Sequence, residues 1–278
     1  MGRELHIARS VAEALCLKES GRAFLAGGTE VLRHEPAVHG DSLIMLNQIA
    51  ELKGISKAEG HLIRIGAMTT FQEAKESATV PDYLKTALSY MASRTKRNMA
   101  TIGGNVSLLR DDSCLGAVLI ASHAKLEIAR KEESRDTVCI RHYMLNRDSY
   151  QDSLITAVFV RDDVNVVSKR YANTAESHSY LTVALGLVDG NYRIGISVKN
   201  SGVYYAKEAS EKLSAEQEVP SEKKFLDWAG SWEGLDIPDD MFGSTAYKRY
   251  LLGITLEDLF RKLTVSGKAE GEICGEEA

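Results

Sequence analysis

Two glycine pairs, Gly27-Gly28 and Gly103-Gly104, are the strongest indication of a ligand site in this chain. Each pair follows an apolar stretch and precedes a small polar or amide side chain, Thr29 or Asn105. Glycine accepts positive φ and lets an anion approach the main chain, so that backbone N–H groups can point at a phosphate. The repeated design predicts two loops that clasp one diphosphate from two sides. The alternative is that each pair marks a tight turn, as glycine pairs do in many loops.

The predicted surroundings of the two pairs suit an anion site. The apolar segment 22–26 predicts a short strand that runs directly into the first pair. Three basic residues, Arg94, Lys96 and Arg97, precede the second pair. They either raise the local positive potential, which favours a diphosphate, or form a solvated surface turn.

Hydrophobic periodicity predicts mixed strands and helices along the chain. Thr69 or Thr70 caps a helix, and Glu73 completes a capping box with Thr70. Asp189-Gly190 predicts a β-hairpin, because this dipeptide favours a turn that matches strand twist. The predicted strands are 22–26, 42–46, 61–66, 125–129, 137–140, 154–160, 180–188 and 192–198. The predicted helices are 11–19, the one capped near Thr70, 81–93, 115–122, 205–213, 222–228 and 244–263.

Length and composition indicate an ordinary globular protein of two domains. The chain has 278 residues, of which 44% are hydrophobic and 26% charged. A change of character at 161–163 predicts domains at 1–162 and 163–264. The acidic tail 265–278 has little to bury, so we expect it to be disordered.

Charge and cysteine usage exclude several function classes. The net charge is −5 and the basic residues are scattered, which argues against nucleic acid. No segment has the length of a membrane span or a signal peptide, so a cytoplasmic protein with no membrane partner is expected. Cys16, Cys114, Cys139 and Cys274 form no CxxC pair, so this chain alone predicts no zinc site or iron–sulfur cluster. The seven histidines show no metal spacing, and Cys114 is interpreted as a packing residue.

Three segments resemble the FAD-binding subunit of molybdenum hydroxylases, the family of xanthine dehydrogenase and carbon monoxide dehydrogenase. They are 25–29, 97–105 and, more weakly, 239–249. The resemblance implies an α+β fold, with a two-lobed FAD-binding domain followed by a small domain of a three-stranded antiparallel sheet and helices. It also implies that electrons leave a molybdenum-cofactor large subunit, cross [2Fe-2S] clusters in a small subunit and reach FAD in this chain. NAD, oxygen or a protein is then the acceptor.

The resemblance also implies the cofactor-binding residues. The two loops that it assigns to FAD consist of Leu25, Ala26, Gly27, Gly28, Thr29, Glu30, Val31, Leu32, Thr101, Ile102, Gly103, Gly104 and Asn105. Relatives place an aspartate nine residues past the asparagine, where this chain has Cys114. Either Asp111 or Asp112 substitutes for it, or the contact is missing. Lys169 or Arg170 lies near a basic position that relatives use on the flavin side. No catalytic residue and no metal ligand is predicted.

Two rival functions stay open at this point. One is a self-sufficient flavoprotein oxidase or reductase, although residues after 163 offer no convergent titratable cluster. The other is a scaffold that has lost FAD, which the missing aspartate favours and the intact glycine loops oppose.

Overall fold

The computed structural model describes residues 4–18, 21–33, 42–131, 134–216, 220–232 and 234–272, with side chains up to Thr264. The chain forms two compact units. The first comprises Met1–Leu109 and His123–Asp162, and the second comprises Arg110–Ser122 and Asp163–Ala278. The predicted domain limits of 1–162 and 163–264 stay a prediction. The second unit also includes Arg110–Ser122, which lies inside the predicted first domain.

Twelve strands lie in the described part of the chain. They are β1 Glu4–Ile7, β2 Ala23–Leu25, β3 Ser42–Met45, β4 Ile55–Ala58, β5 Leu62–Gly66, β6 Lys125–Ala129, β7 Arg135–Cys139, β8 Leu154–Arg161, β9 Asn165–Tyr171, β10 Leu181–Val188, β11 Asn191–Val198 and β12 Gly202–Tyr205. The α-helices are α1 Val11–Lys18, α2 Phe71–Glu76, α3 Asp82–Ser89, α4 Arg94–Arg97, α5 Ile102–Leu108, α6 Cys114–Ala121, α7 Ile140–Leu145, α8 Lys207–Ala215, α9 Glu222–Ser231 and α10 Thr245–Glu272.

The first unit contains two sheets. A parallel sheet has the strand order β1-β3-β2, and an antiparallel sheet has the order β4-β5-β8-β6-β7. Helix α1 buries Val11, Ala14 and Leu15, which lie on one face because they are three and four residues apart. These side chains pack with Ile44 of β3 in one core. Two sheets in one unit agree with the predicted two-lobed domain.

The second unit is built on one antiparallel sheet of four strands in the order β12-β11-β10-β9. The turn between β10 and β11 has positive φ at Asp189 and Gly190, 50° and 76°, so the predicted hairpin is confirmed. The sheet has one strand more than the resemblance implies. The strand β12 ends at Tyr205, where a helix was predicted to begin, and helix α8 starts only at Lys207.

Helix α6 packs on this sheet and is almost entirely buried, as its uniformly apolar sequence predicts. Glycines leave the room that it needs. A Cβ on Gly186 would lie 2.2 Å from the Ala121 carbonyl oxygen, and one on Gly195 would lie 2.1 Å from that of Ala117. The helix therefore sits closer to the strands than any side chain at these two positions permits.

The last helix and the predicted 81–93 helix differ from expectation. Helix α10 continues to Glu272 instead of ending near 263. The disorder expected for 265–278 stays a prediction, and residues 273–278 lie outside the described part. The predicted 81–93 helix is shorter in the structure, where α3 spans Asp82–Ser89, and a separate short helix, α4, begins at Arg94. The α+β class is confirmed. Within the described residues, no helix is both long enough and apolar enough to cross a membrane.

Candidate cofactor site

The first glycine run begins where strand β2 ends. The Leu46 amide donates to the Leu25 carbonyl at 3.1 Å, which ties the end of β2 to the neighbouring β3. Gly28 then takes a φ of +71°, a conformation that side-chain-bearing residues rarely adopt. The chain therefore turns sharply at the carboxyl end of a parallel strand.

The structure brings the two glycine runs into contact. A Cβ on Gly27 would lie only 1.8 Å from the carbonyl oxygen of Met99, just before the second run. A Cβ on Gly104 would lie 3.6 Å from the Cβ of Ala26. Glycine at position 27 is therefore required by the packing of one run on the other.

The second run is the cap and first turn of helix α5. The Thr101 hydroxyl accepts a hydrogen bond from the Gly104 amide at 3.2 Å. The Asn105 amide donates to the Thr101 carbonyl at 3.1 Å. The Ile102 and Gly103 amides donate, at 3.0 Å and 2.8 Å, to the carbonyls of Thr69 and Ala67, respectively. The four amides from Ile102 to Asn105 therefore donate within the chain, and contact of this run with a diphosphate stays a prediction.

The first run, in contrast, keeps unused donors. The backbone N–H groups of Gly27, Gly28 and Thr29 donate to no acceptor among the described residues, and the Thr29 hydroxyl has no partner there either. All three residues are half-buried. Successive half-buried amides at a turn with positive φ are the kind of main-chain segment that binds anions. Glu30 and Val31 already have interactions within the protein.

Gly103 and Gly104 are glycines for different reasons. A Cβ on Gly103 would lie 2.5 Å from the Cβ of Ala67 and 2.9 Å from its main chain. A Cβ on Gly104 would meet only the Thr101 hydroxyl at 2.9 Å and the distant Ala26. Gly103 is thus required by packing against Ala67, and Gly104 meets only side-chain atoms.

The basic residues before the second run are mostly used within the chain. Arg97 donates to the Gln72 side chain at 2.9 Å and to the Ala92 carbonyl at 2.6 Å. Arg94 pairs with Glu76 at 3.4 Å. Lys96 is exposed and has no side-chain partner in the described part of the chain, so it is the one of the three with an uncommitted charge.

Asp111 and Asp112 belong to the second unit and differ sharply. Asp112 is 8% exposed and accepts two hydrogen bonds from Arg110, at 2.8 Å and 2.6 Å. Burial alone would raise the pKa of Asp112, but the hydrogen bonds and charge of Arg110, with the charges of His178 and Lys199, hold this pKa below its usual value. Asp111 is half-buried and has no hydrogen bond or ion pair with any described residue.

Cys114, at the position where the resemblance implies an aspartate, is a packing residue. Its side chain is buried at the start of α6, with its Sγ atom 3.3 Å from the Ser179 hydroxyl and 3.7 Å from the Thr182 hydroxyl. Burial raises the pKa of the thiol. The second unit therefore uses this position for its own core.

Lys169 and Arg170 are neighbours on strand β9 of the second unit. The Lys169 ammonium lies 3.7 Å from the Asp258 carboxylate and 5.6 Å from the centre of the Tyr171 ring. The Arg170 guanidinium donates to carbonyls of the following loop, including that of Ser177 at 2.8 Å. Among the residues that the structure describes, no three His, Cys, Asp or Glu side chains come together to hold a metal ion.

Comparison with known proteins assigns the family. The family described as the FAD binding domain in molybdopterin dehydrogenase matches residues 2–160, more than half of the chain. The chain is 29% identical over 262 residues to the uncharacterized protein YgfM of Escherichia coli K12, covering 93% of this chain and 95% of that protein. It is 34% identical over 130 residues, 44% of each chain, to the xanthine dehydrogenase FAD-binding subunit of Escherichia coli O157:H7.

A solved structure shares the fold across nearly the whole length. A chain of carbon monoxide dehydrogenase from Hydrogenophaga pseudoflava, in a form lacking the Mo-pyranopterin moiety, superimposes with a TM-score of 0.82. The identity is 21%, and the match covers 95% of this chain and 98% of that one. The chain therefore belongs to the family of FAD-binding subunits of molybdenum hydroxylases, as an oxidoreductase component whose cofactor is FAD.

Proposed function

We propose that this chain transfers electrons from iron–sulfur clusters of a partner subunit to NAD or another acceptor, and that the first glycine run holds the diphosphate of FAD. The observation that carries the assignment of the run is its set of unused donors. The amides of Gly27, Gly28 and Thr29 lack acceptors among the described residues, and Gly28 has the positive φ that opens the main chain to an anion. Three donors at one turn match the multiple acceptor oxygens of a diphosphate.

The other residues of the first run complete the proposed cofactor loop. Leu25 and Ala26 connect it to strand β2, and Glu30, Val31 and Leu32 continue it. Leu32 is 55% exposed and Met99 is 48% exposed, so two apolar residues next to the run each keep about half of their surface in solvent. We assign them to contact with the organic part of the cofactor, which removes apolar surface from water.

The second run supports the cofactor loop and contributes to it in a different way. Its amides from Ile102 to Asn105 are committed within the chain, so Thr101, Gly103 and Gly104 act by holding the first run in place. The half-buried side chain of Asn105 is the amide group that this run directs at the cofactor in our proposal. In this proposal, the first run binds the diphosphate and the second run holds the first run in place.

On the flavin side, we propose Asp111 rather than Asp112, because the Asp112 carboxylate already accepts two hydrogen bonds from Arg110. Lys169 is proposed ahead of Arg170, because the Arg170 guanidinium holds the loop that contains Ser177. When bound, FAD supplies the redox chemistry, since it accepts single electrons and releases a pair as hydride. The chain itself supplies binding and orientation.

The role as a subunit rests on what the sequence lacks. The four cysteines are far apart, so this sequence supplies no local iron–sulfur motif, and the partners in our proposal are a molybdenum-cofactor large subunit and a [2Fe-2S] small subunit. A relative that shares part of this sequence is itself named a FAD-binding subunit.

The test combines a spectrum with substrate assays. Purified chain should take up FAD non-covalently, so that acid precipitation releases it, and the bound flavin should be reduced by dithionite or NADH. The same protein should not oxidise purines, aldehydes or nicotinate until the large and small subunits are added. A chain that takes up no FAD would contradict the cofactor assignment. If the isolated chain oxidised such substrates at about 10 per second, the subunit proposal would be wrong and the protein would be a self-sufficient flavoenzyme.

A further inference from the structure

We infer that the segment from Ala67 to Glu73 positions the cofactor loops, with Glu73 as a positioning residue for FAD although it belongs to neither glycine run. This inference rests on the proposed function for the role of the first run. It goes beyond it because it assigns cofactor affinity to an exposed carboxylate in a helix cap.

Glu73 and Thr70 lock each other at the start of helix α2. The Thr70 amide and hydroxyl donate to the Glu73 carboxylate at 2.7 Å and 2.9 Å, and the Glu73 amide donates to the Thr70 hydroxyl at 3.2 Å. This is a complete capping box. The Glu73 side chain is exposed, so its removal leaves no cavity in a core.

The locked segment then holds the second run through the main chain. Thr70 forms a β-bridge with Thr101. On either side of the bridge, the Phe71 amide donates to the Ala100 carbonyl at 2.9 Å, and the Thr69 carbonyl accepts from Ile102 at 3.0 Å. The contacts therefore form a short ladder that joins the capped residue to the cap of helix α5.

The segment from Ala67 to Glu73 is itself held by hydrogen bonds to the chain around Leu52 and Gly54. The Met68 amide donates to the Leu52 carbonyl at 2.7 Å, and the Thr69 hydroxyl donates to the Gly54 carbonyl at 3.2 Å. At the other end, the carbonyl of Met99, next to Ala100 in the ladder, is the atom on which Gly27 packs. A shift at Thr70 is thus transmitted through Ala100 and Met99 to the amides of the first run.

The experiment compares two carboxylates at helix starts in the same unit. At the start of helix α1, the Glu13 carboxylate accepts from the Arg9 amide at 2.8 Å, one residue before Ser10, and the Glu13 amide donates to the Ser10 hydroxyl at 3.1 Å. Glu73→Ala and Glu13→Ala therefore remove the same kind of interaction, and both should lower thermal stability by a similar small amount. Glu73→Gln keeps a side-chain oxygen that can accept from the Thr70 amide.

Three readouts separate positioning from general stability. Glu73→Ala should raise the dissociation constant for FAD about tenfold and shift the ³¹P resonances of the bound diphosphate, whereas Glu73→Gln and Glu13→Ala should stay within about twofold of the unmodified chain. In the protein without FAD, hydrogen exchange at the Ile102 and Gly103 amides should accelerate in Glu73→Ala only.

The outcomes distinguish this inference from the proposed function. Unchanged FAD affinity, ³¹P resonances and hydrogen exchange in a folded Glu73→Ala variant would overturn it, as would equal losses in Glu73→Ala and Glu13→Ala. If the unmodified chain takes up no FAD, the proposed function fails, and faster exchange at Ile102 and Gly103 still decides whether Glu73 positions the second run.

Discussion

The two glycine runs look alike in sequence and differ in what they can offer a ligand. In the first, the amides of Gly27, Gly28 and Thr29 have no acceptor among the described residues. In the second, the four amides from Ile102 to Asn105 all donate within the chain. The first run is therefore suited to bind an anion and the second to hold the first in place. A glycine pair is thus compatible with either role, and the destination of the amides distinguishes them.

The same distinction separates two neighbouring carboxylates. Asp112 accepts two hydrogen bonds from Arg110 inside the second unit, whereas Asp111 has no partner among the described residues. A group that the fold already uses is not available to a cofactor without the loss of that interaction. The following substitutions test this difference between committed and uncommitted groups.

Gly27→Ala should have the largest effect. The added Cβ would lie 1.8 Å from the Met99 carbonyl oxygen, so main chain has to move. We expect the free energy of unfolding to fall by about 3–5 kcal/mol and FAD binding to be lost. Chemical denaturation and the flavin spectrum measure the two effects. Gly230→Ala is the control, because nothing lies within 4 Å of its Cβ, and it should be neutral or stabilise by about 0.5–1 kcal/mol. A stable Gly27→Ala variant with full FAD occupancy would show that the two runs are not packed as described.

Asp112→Asn should be next in size. It removes a buried charge from Arg110, so the free energy of unfolding at neutral pH should fall by about 2–3 kcal/mol. Because folding lowers the pKa of Asp112, its stabilisation is fully present above the unfolded pKa of about 3.9 and is lost as the pH falls through the lower folded value. The difference between the unmodified chain and the variant should therefore shrink below about pH 4. Denaturation curves over this pH range measure it.

Asp111→Asn is the matched comparison for Asp112. With no partner among the described residues, it should change the free energy of unfolding by no more than about 0.5 kcal/mol. If Asp111 faces the cofactor as proposed, the same variant should alter the visible spectrum or reduction potential of the bound flavin. An unchanged flavin in Asp111→Asn would remove this residue from the proposed site.

Gly103→Ala should have an intermediate effect. Its Cβ would lie 2.5 Å from the Cβ of Ala67 and 2.9 Å from the Ala67 main chain. Overpacking of this kind should cost about 1–3 kcal/mol of unfolding free energy, with a weaker affinity for FAD as a consequence. Adding Ala67→Gly removes the nearest atom and should restore part of both losses. Loss of FAD affinity with unchanged stability would instead indicate that a phosphate contacts Gly103.

Gly104→Ala should have the smallest effect in the two runs. Its Cβ would meet the Thr101 hydroxyl at 2.9 Å, but alanine is favoured over glycine within a helix by about 1 kcal/mol. The two effects oppose each other, so we expect a net change within about 1 kcal/mol and an FAD affinity within about tenfold of the unmodified chain. Titration with FAD measures the affinity. Complete loss of binding by a folded Gly104→Ala protein would mean that both runs contact the anion.

Much of the fold follows from local signals in the sequence. The buried helix around Leu115, the Thr70–Glu73 capping box and the Asp189-Gly190 hairpin are confirmed. Each is predictable because it depends on residues that are close together in the sequence. Elements with weaker patterns were missed, among them the edge strands β1 and β12 and the short helices α4 and α5. Edge strands and helices of one or two turns bury few side chains, so their hydrophobic periodicity is short.

The two glycine runs, their order and the family to which they point follow from the amino-acid sequence. Which of the two runs keeps amides without an acceptor depends on contacts between segments that are distant in sequence. The Ile102 and Gly103 amides of the second run donate to the carbonyls of Thr69 and Ala67, more than thirty residues earlier in the chain. Every residue has a carbonyl, so no side-chain pattern marks these two as partners. The pairing of distant segments brings these carbonyls to the second run, whereas the amides of Gly27, Gly28 and Thr29 have no acceptor among the described residues.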